Sequence, residues 1–415
     1  MNDEFKFIHA ADFHLDEPMS GLPELPTHLK GALVEAPYVA AKRIFDLAVA
    51  EKVDFVLLAG DLFDMDGGGC RPAAFLLSQF ERLADKNIAV YWCGGKIDHP
   101  DRWPANIELP KNVRTFSTSI VEEVYHSRRE HPIATIVGSG YDSQRRTSAD
   151  FAVDSTEVFP IGLGYGEFET NSATSKNIRY WAQGGNHQYQ QIERGSGLVV
   201  SAGTPQSREP SENGTHGCVL VRVDAAGAIR SHFVETDTFR WLPQTIAIAE
   251  NSSLDEIKNV IGERALKLVS DHPDRMLLVN WQTETHGSFN PQLRTEANRD
   301  EIMKWLRREF GTGQTGLWSV AMEINPPSNL PEGWYEEDTI LGDFLRAIGR
   351  FQSDPSINLA LHDYLPKNID TDIANPIVRL SGEQRDQILA EAALTGVEYL
   401  AAQRDWNDAA ASSQA

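Results

Sequence analysis

VDFVLLAGDLFD, residues 53–64, is the stretch from which the fold can be read. Its first half is apolar at nearly every position, without polar alternation, which marks a strand buried on both faces. It then ends on Gly60 and two acids, Asp61 and Asp64. A strand covered on both faces needs partners, and the flanks supply helices. YVAAKRIFDLAVAEK (38–52) precedes it and PAAFLLSQFERLADKN (72–87) follows it, both with apolar residues at helical spacing and Pro72 near the second start. Beyond these lie two more strand-like runs, FKFIHAAD (5–12) and IAVYWCGG (88–95). The order strand–helix–strand–helix–strand predicts parallel strands joined by helical crossovers, an α/β fold.

Further along, strands are expected at 133–140, 159–166, 178–185, 197–203 and 217–224, with DAAGAIRSHFVE (224–235) turning the last into a hairpin. Helix–strand alternation thus gives way to a strand-rich stretch, which predicts a two-sheet core. After FRWLPQ (239–244) the pattern becomes helix (253–269), strand (275–284), helix (298–311) and strand (317–325), a smaller α+β module. Residues 339–349 and 381–405 read as helices and the tail NDAAASSQA as disordered. The expected pieces are 1–241, 242–350 and 351–415.

The 415-residue chain is 41% hydrophobic, as a folded chain should be, and no apolar run approaches the roughly 18 residues a membrane span needs. MNDEFKFIHAAD is acidic and enters a strand directly, unlike a signal peptide. Cys70, Cys93 and Cys218 are too scattered for a disulfide framework, so a reducing cytoplasm is the expected setting. A net charge of −22 argues against a protein that coats DNA, since phosphates are held by Lys and Arg.

Candidate chemistry gathers at strand ends. In ADFHLD (11–16), Asp12 and His14 are two apart where a strand opens into a loop, and both could reach one ion; alone, such a pair is more often an ordinary turn. In AGDLFD (59–64), Gly60 permits a tight turn and Asp61 sits at the carboxyl end of a buried strand, where α/β sheets place ligands. The competing role for Asp61, capping the next helix, is weak because that helix is expected only near 72. In GGNHQ (184–188), His187 follows another strand. Together the four make a mixed nitrogen and oxygen set suited to Mn, Fe or Zn rather than Ca.

FKFIHAADFHLD, VDFVLLAGDLFD, NIELPKNVRTF (106–116), residues 203–241 and EEDTILGDFLR (336–346) resemble the SbcD/YhaO-type DNA repair exonucleases of the calcineurin-like metallophosphoesterase superfamily, over about residues 5–350. The resemblance implies a four-layer α/β/β/α double sheet with a smaller α+β capping domain. It implies two metals, usually manganese, with Asp12, His14 and His187 on the first and Asp61 as bridge. The family's Gly-Asn-His-Asp motif falls on Gly95-Lys96-Ile97-Asp98, so Lys96 replaces a second-metal Asn and Ile97 the catalytic His. Two further second-metal histidines fall on Tyr165 and Gly185. Ile97 cannot transfer a proton, and protonated Lys96 has no lone pair and would repel a second cation.

The expectation is therefore a divalent metal, probed first as Mn, with at most one ion held tightly. Lys96 could place its ammonium in the vacated position and bond Asp61, and His99 could replace the lost acid, although a solvated loop histidine is the commoner outcome. Three readings remain open: a weakened phosphodiesterase or DNA exonuclease, a structural or regulatory subunit, and a one-metal phosphoesterase on a small substrate. The resemblance also implies homodimerisation and an SbcC-like coiled-coil ATPase partner. DNA as a partner is unsupported by the net charge, and no membrane association is expected.

Overall fold

The computed structural model describes residues 4–24, 26–104, 107–142, 151, 158–166, 177–195, 197–249, 251–285, 290–294, 296–324, 330, 332–361 and 380–401. Contacts divide the chain into two units. The first takes in residues 1–243 together with 268–279 and 309–320, and the second 244–267, 280–308 and 321–415.

The first unit begins with strand β1 (Phe5–Ala10), helix α1 (Lys30–Glu51), β2 (Phe55–Ala59), α2 (Cys70–Ala84) and β3 (Ala89–Cys93). β1, β2 and β3 are parallel neighbours, as two-sided burial of 53–59 predicts. Strands β4 (Val113–Thr115), β11 (Gly217–Val223) and β12 (Ile229–Glu235) complete a six-stranded sheet of order β12-β11-β1-β2-β3-β4. A second six-stranded sheet has the order β5-β6-β7-β8-β10-β9. Its strands are β5 (Glu122–Arg128), β6 (His131–Gly138), β7 (Phe159–Tyr165), β8 (Tyr180–Gly184), β9 (Gln190–Arg194) and β10 (Gly197–Ser201).

Side-chain alternation assigns each face of the first sheet. Phe5, Phe7, Phe55, Leu57, Tyr91 and Cys93 point into a core shared with Ile136, Ile161, Leu163 and Tyr180 of the second sheet. Ile8, Val56, Leu58, Val90 and Trp92 pack on Ile44 and Phe45 of α1 and Leu76 and Phe80 of α2. Helix, sheet and sheet are thus stacked layers of a double-sheet α/β fold. The far face of the second sheet carries Val137, Trp181 and Val199 with Phe151 and Ile178. A fourth, helical layer there would fall largely on 143–150, 152–157 and 167–176, outside the described residues.

Three differences from the sequence reading have physical causes. α1 begins eight residues before the expected position 38 and carries Pro37 inside it. A proline there removes one backbone hydrogen bond, but Leu33 and Ala36 are buried in a cluster with Leu29, Phe239, Trp241 and Met276, and that packing offsets the loss. Strands β4, β5 and β9 were not anticipated, and all three are sheet edges. The first unit also extends past the expected boundary at 241, because Met276, Leu278 and Val320 belong to the same cluster as Trp241.

The remaining elements are β13 (Phe239–Ile248), α3 (Leu254–Asp271), β14 (Met276–Thr285), α4 (Pro291–Arg294), α5 (Glu296–Phe310), β15 (Gly316–Ile324), α6 (Glu332–Glu336), α7 (Ile340–Ser353) and α8 (Gly382–Ala401). β13, β14 and β15 pair in that order. In the second unit Leu341, Leu345 and Ile348 of α7 pack on Leu389, Ala393 and Val397 of α8. The expected disordered tail lies outside the described residues.

His9 of β1 is fully buried between the sheets, its Nδ1 3.1 Å from the Tyr180 hydroxyl. Burial lowers its pKa from 6.5 to about 3. Unfolding therefore lets His9 take up a proton at any pH between those values, so its contribution is present above pH 6.5 and is lost as pH falls. Relative to His9→Gln, the wild type should lose about 2 kcal/mol of unfolding free energy between pH 8 and pH 5, measured by urea titration at each pH. A constant difference across that range contradicts a buried neutral His9.

Candidate metal centre

β1, β2, β3, β7 and β8 run parallel within their sheets, and the candidate residues lie at or just beyond their carboxyl ends. The loop after β1 is stitched to the loop after β2 by Asp12 N–H to Gly60 O (2.9 Å), His14 N–H to Asp61 O (3.1 Å) and Leu15 N–H to Leu62 O (3.0 Å). This close pairing forces Asp12, His14 and Asp61 to φ values of 52°, 43° and 53°. Left-handed backbone at a non-glycine residue costs about 1 kcal/mol or more each, so three such residues together mark a site where position outweighs local preference.

Asp98 holds the third loop in place. Its Oδ1 accepts from the N–H groups of Asp61 (2.8 Å) and Gly95 (2.5 Å), and its Oδ2 from Leu62 N–H (3.0 Å) and the Trp92 indole (3.0 Å). Burial pushes its pKa up to about 7 against the pull of those N–H donors.

Asp12, His14 and His187 converge, with one candidate ligand atom from each within 4.8 Å of the others. The His14 and His187 rings are 5.1 Å apart, centre to centre. Gly185 N–H donates to both Asp12 oxygens at 2.9 Å. Asp12 is fully buried, and burial followed by the nearby Asp61 charge raises its pKa well above the usual range.

Each histidine is oriented by a carboxylate. His14 Nδ1 is 3.1 Å from Glu17, and His187 Nδ1 is 2.7 Å from Glu212. Arg208 ties the pair together by bonding both Glu17 and Glu212, with 2.9 Å to the latter. Burial opposes ionisation of Glu212, but hydrogen bonds from His187 and Arg208 outweigh it and bring its pKa to about 2. Burial and then Arg208 lower His14 to about 3, so its ring is neutral.

His14 Nε2 is buried and, among the described residues, has no hydrogen-bond partner. A neutral imidazole with Nδ1 on a carboxylate and a free Nε2 is the arrangement of a metal-ligating histidine. An orphaned imidazole nitrogen, a buried carboxylate short of positive charge and a second carboxylate-oriented histidine together fit a divalent cation. Glu17, Arg208 and Glu212 were not singled out from sequence. Arg208 and Glu212 lie in the 203–241 stretch that carried the resemblance, and their being buried as an i, i+4 pair was the missing signal.

Asp61 stands beside this triad but outside it among the described residues. Both of its oxygens are engaged: Oδ1 accepts from Ile97 N–H at 3.1 Å, and Oδ2 accepts a close hydrogen bond from the Tyr165 hydroxyl. The expected Lys96–Asp61 bond is not formed. Lys96 is exposed and its Nζ lies 6.0 Å from the centre of the Tyr141 ring, which in turn meets Tyr165 edge-on at 5.4 Å. Burial and the bond to Asp61 raise the Tyr165 pKa, so the hydroxyl keeps its proton. His99 caps a short turn through its carbonyl, which accepts from Arg102 N–H, and does not join the triad.

Tyr165 and Gly185 are complementary. A Cβ on Gly185 would stand 3.0 Å from Tyr165 Cζ, so the tyrosine ring fills the room that a side chain at 185 needs.

The calcineurin-like phosphoesterase family profile matches residues 5–146. The chain is 30% identical over 283 residues to the uncharacterized metallophosphoesterase YhaO of Bacillus subtilis (strain 168), covering 65% of this chain and 69% of that protein. The chain belongs to the YhaO-type metallophosphoesterases. Among solved structures it is similar to a putative 5'-nucleotidase from Staphylococcus aureus in complex with alpha-ketoglutarate (11% identity, TM-score 0.34, 56% of this chain). It spans only 54% of that structure's chain. A dimetal phosphatase from Danio rerio matches at 10% identity and TM-score 0.33, over 53% of this chain and 93% of that one. The family implies divalent metals, and among the described residues no helix is long and apolar enough to cross a membrane.

Asp98→Asn should be costly despite its similar shape. Each carboxylate oxygen accepts two N–H donors, so an amide must turn its own NH2 toward two of them. Unfolding free energy should fall by about 3 kcal/mol in denaturant titration, and a loss under 0.5 kcal/mol would show that Asp98 does not hold these loops.

Proposed function

We propose that this chain is a one-metal metallophosphoesterase whose second half-site has been closed, leaving phosphodiester hydrolysis far weaker than in a two-metal enzyme. The observation that carries this reading is the Tyr165 hydroxyl on Asp61, whose other oxygen is held by Ile97 N–H. A carboxylate engaged at both oxygens is poorly placed to bridge two ions.

In this reading Asp12, His14 and His187 hold the ion, with Mn as the first candidate. A bound divalent ion would supply Lewis-acid polarisation of a phosphoryl oxygen. The chain's own residues do the rest. Glu17 and Glu212 fix the imidazole tautomers, Arg208 bonds both carboxylates, and Asp98 sets the loop that carries Ile97. No proton donor stands at position 97, so the leaving group departs without the help that a positioned acid provides, worth about 100-fold to 10,000-fold in rate. His99 is the remaining histidine of that loop and the candidate substitute acid.

A second reading draws on the Tyr165–Gly185 fit: the chain serves as a structural or regulatory subunit, in a homodimer or with an SbcC-like coiled-coil ATPase, in the cytoplasm. A ring that fills the space of the missing ligand keeps the core packed without hydrolysis. DNA exonuclease activity is the property least supported by a net charge of −22.

Manganese titration by calorimetry, with elemental analysis of the purified protein, should give about one ion per chain. Asp12→Ala and His187→Ala should each abolish it. Cleavage of bis-p-nitrophenyl phosphate and of linear duplex DNA should be slow or undetectable, and any residual rate should fall in His99→Ala. Two ions per chain together with robust cleavage abolished by Asp61→Ala would overturn the one-metal reading. One ion without any cleavage would select the subunit reading.

A further inference from the structure

On the outer face of the second sheet, strand register builds a floor that the metal centre does not use. Ser201 of β10 pairs with Gln183 of β8 and with Gln190 of β9, so the three side chains form one row across three strands. Two residues back, Val199 pairs with Trp181 and with Ile192, giving a parallel apolar row. A period of two puts both rows on the same face, opposite the inter-sheet core that takes Tyr180, Ala182, Leu198 and Val200.

Over this floor lies a cleft of about 650 Å³. It reaches Gly185 and His187 at one end, so it opens onto the candidate metal site, and Glu209 and Glu212 form part of its wall. Its described lining contains no Lys or Arg. Glu212 is paired with Arg208, but no cation of the described lining offsets Glu209, so a second phosphate is disfavoured and a polynucleotide backbone is a poor occupant. The carboxamides of Gln183 and Gln190 and the Ser201 hydroxyl can each donate and accept. Val199 and Ile192 beside them offer apolar support to a flat ring. Small-ligand sites typically have such a make-up: an apolar surface with a few convergent polar groups that fix orientation.

We propose that this cleft binds the uncharged heterocycle of a mononucleotide-sized phosphoester, a nucleobase, and so places its phosphoryl group beside Asp12, His14 and His187. The ring lies along Val199 and Ile192, and its donor and acceptor edge meets Gln183, Ser201 and Gln190. The phosphoryl end rests on the one-metal reading; the base end does not.

The two ends can be tested apart on the full-length chain. Adenosine and thymidine, which carry no phosphate, are titrated by ligand-observed NMR without added metal. Adenosine 5'-monophosphate, ribose 5-phosphate and inorganic phosphate are then compared by calorimetry with manganese present. The expected result is saturable nucleoside binding, weakened at least about fivefold by Gln183→Leu and by Gln190→Ala, the size of one or two neutral hydrogen bonds. Gln190 is exposed, so its substitution should leave folding intact and controls for damage from the buried Gln183. The mononucleotide should bind at least about tenfold tighter than ribose 5-phosphate. Ribose 5-phosphate binding as tightly as the mononucleotide overturns the assignment, as does nucleoside binding unchanged in both variants. Manganese binding without nucleoside binding removes the cleft and leaves the one-metal reading. Nucleoside binding without manganese binding does the reverse.

Discussion

Asp98 accepts N–H bonds from Asp61, Leu62 and Gly95 and from the Trp92 indole, and through them one carboxylate joins the ends of β2 and β3. The β1 loop is laced to the same β2 loop through the carbonyls of Gly60, Asp61 and Leu62. Three loops therefore share one set of hydrogen bonds whose centre is the buried Asp98 carboxyl group. This explains why left-handed backbone persists at Asp12, His14 and Asp61. Strain of a few kcal/mol is tolerable where each strained residue is held from both sides. It also explains Gly95, whose Cβ would come within 2.2 Å of Asp61 Oδ1.

The same concentration of charge divides the site into two unlike halves. On the side of Asp12, the buried carboxylate accepts from the Gly185 N–H, and among the described residues His14 Nε2 has no hydrogen-bond partner. These groups fit a cation, and Glu17, Arg208 and Glu212 hold the two histidines in place. On the side of Asp61, the protein supplies its own partners in the Tyr165 hydroxyl and Ile97 N–H. A neutral hydroxyl satisfies one oxygen without bringing the charge that a second ion would bring. A protein donor at each oxygen keeps the carboxylate hydrogen-bonded, which matters because an unpaired buried charge is far more costly than a bonded one.

Much of this was legible in the sequence, and the remainder failed for identifiable reasons. Strands β1, β2 and β3 are buried on both faces, so their continuous apolar runs carried a strong signal, and the acids at their ends followed from it. Edge strands β4, β5 and β9 did not show, because edges expose polar side chains: EEVYHSR of β5 carries two Glu and an Arg. Pro37 hid the first turns of α1, since the packing of Leu33 and Ala36 that offsets it comes from residues more than two hundred positions away. Asp12, His14 and His187, which converge, could be named from motif spacing, and the same motifs drew attention to Lys96, Ile97, Tyr165 and Gly185. The partner of Asp61 could not. Lys96 was the obvious choice on charge, but the side chain that reaches Asp61 comes from the end of β7 in the other sheet.

That last contrast bears on the one-metal reading proposed above. Independent loss of ligands would leave a void at Gly185 and an unbonded oxygen on Asp61, each a cost of a kcal/mol or more. Neither defect is present. One side chain, that of Tyr165, fills the space beside Gly185 and bonds Asp61 at once, and Ile97 contributes a backbone donor. Packing and hydrogen bonding that complement each other in this way satisfy what stability asks of a buried carboxylate. The first half-site, with its orphaned His14 Nε2 and its Glu–Arg–Glu support, retains features that stability alone does not ask for. A requirement to bind, with or without turnover, accounts for both halves together.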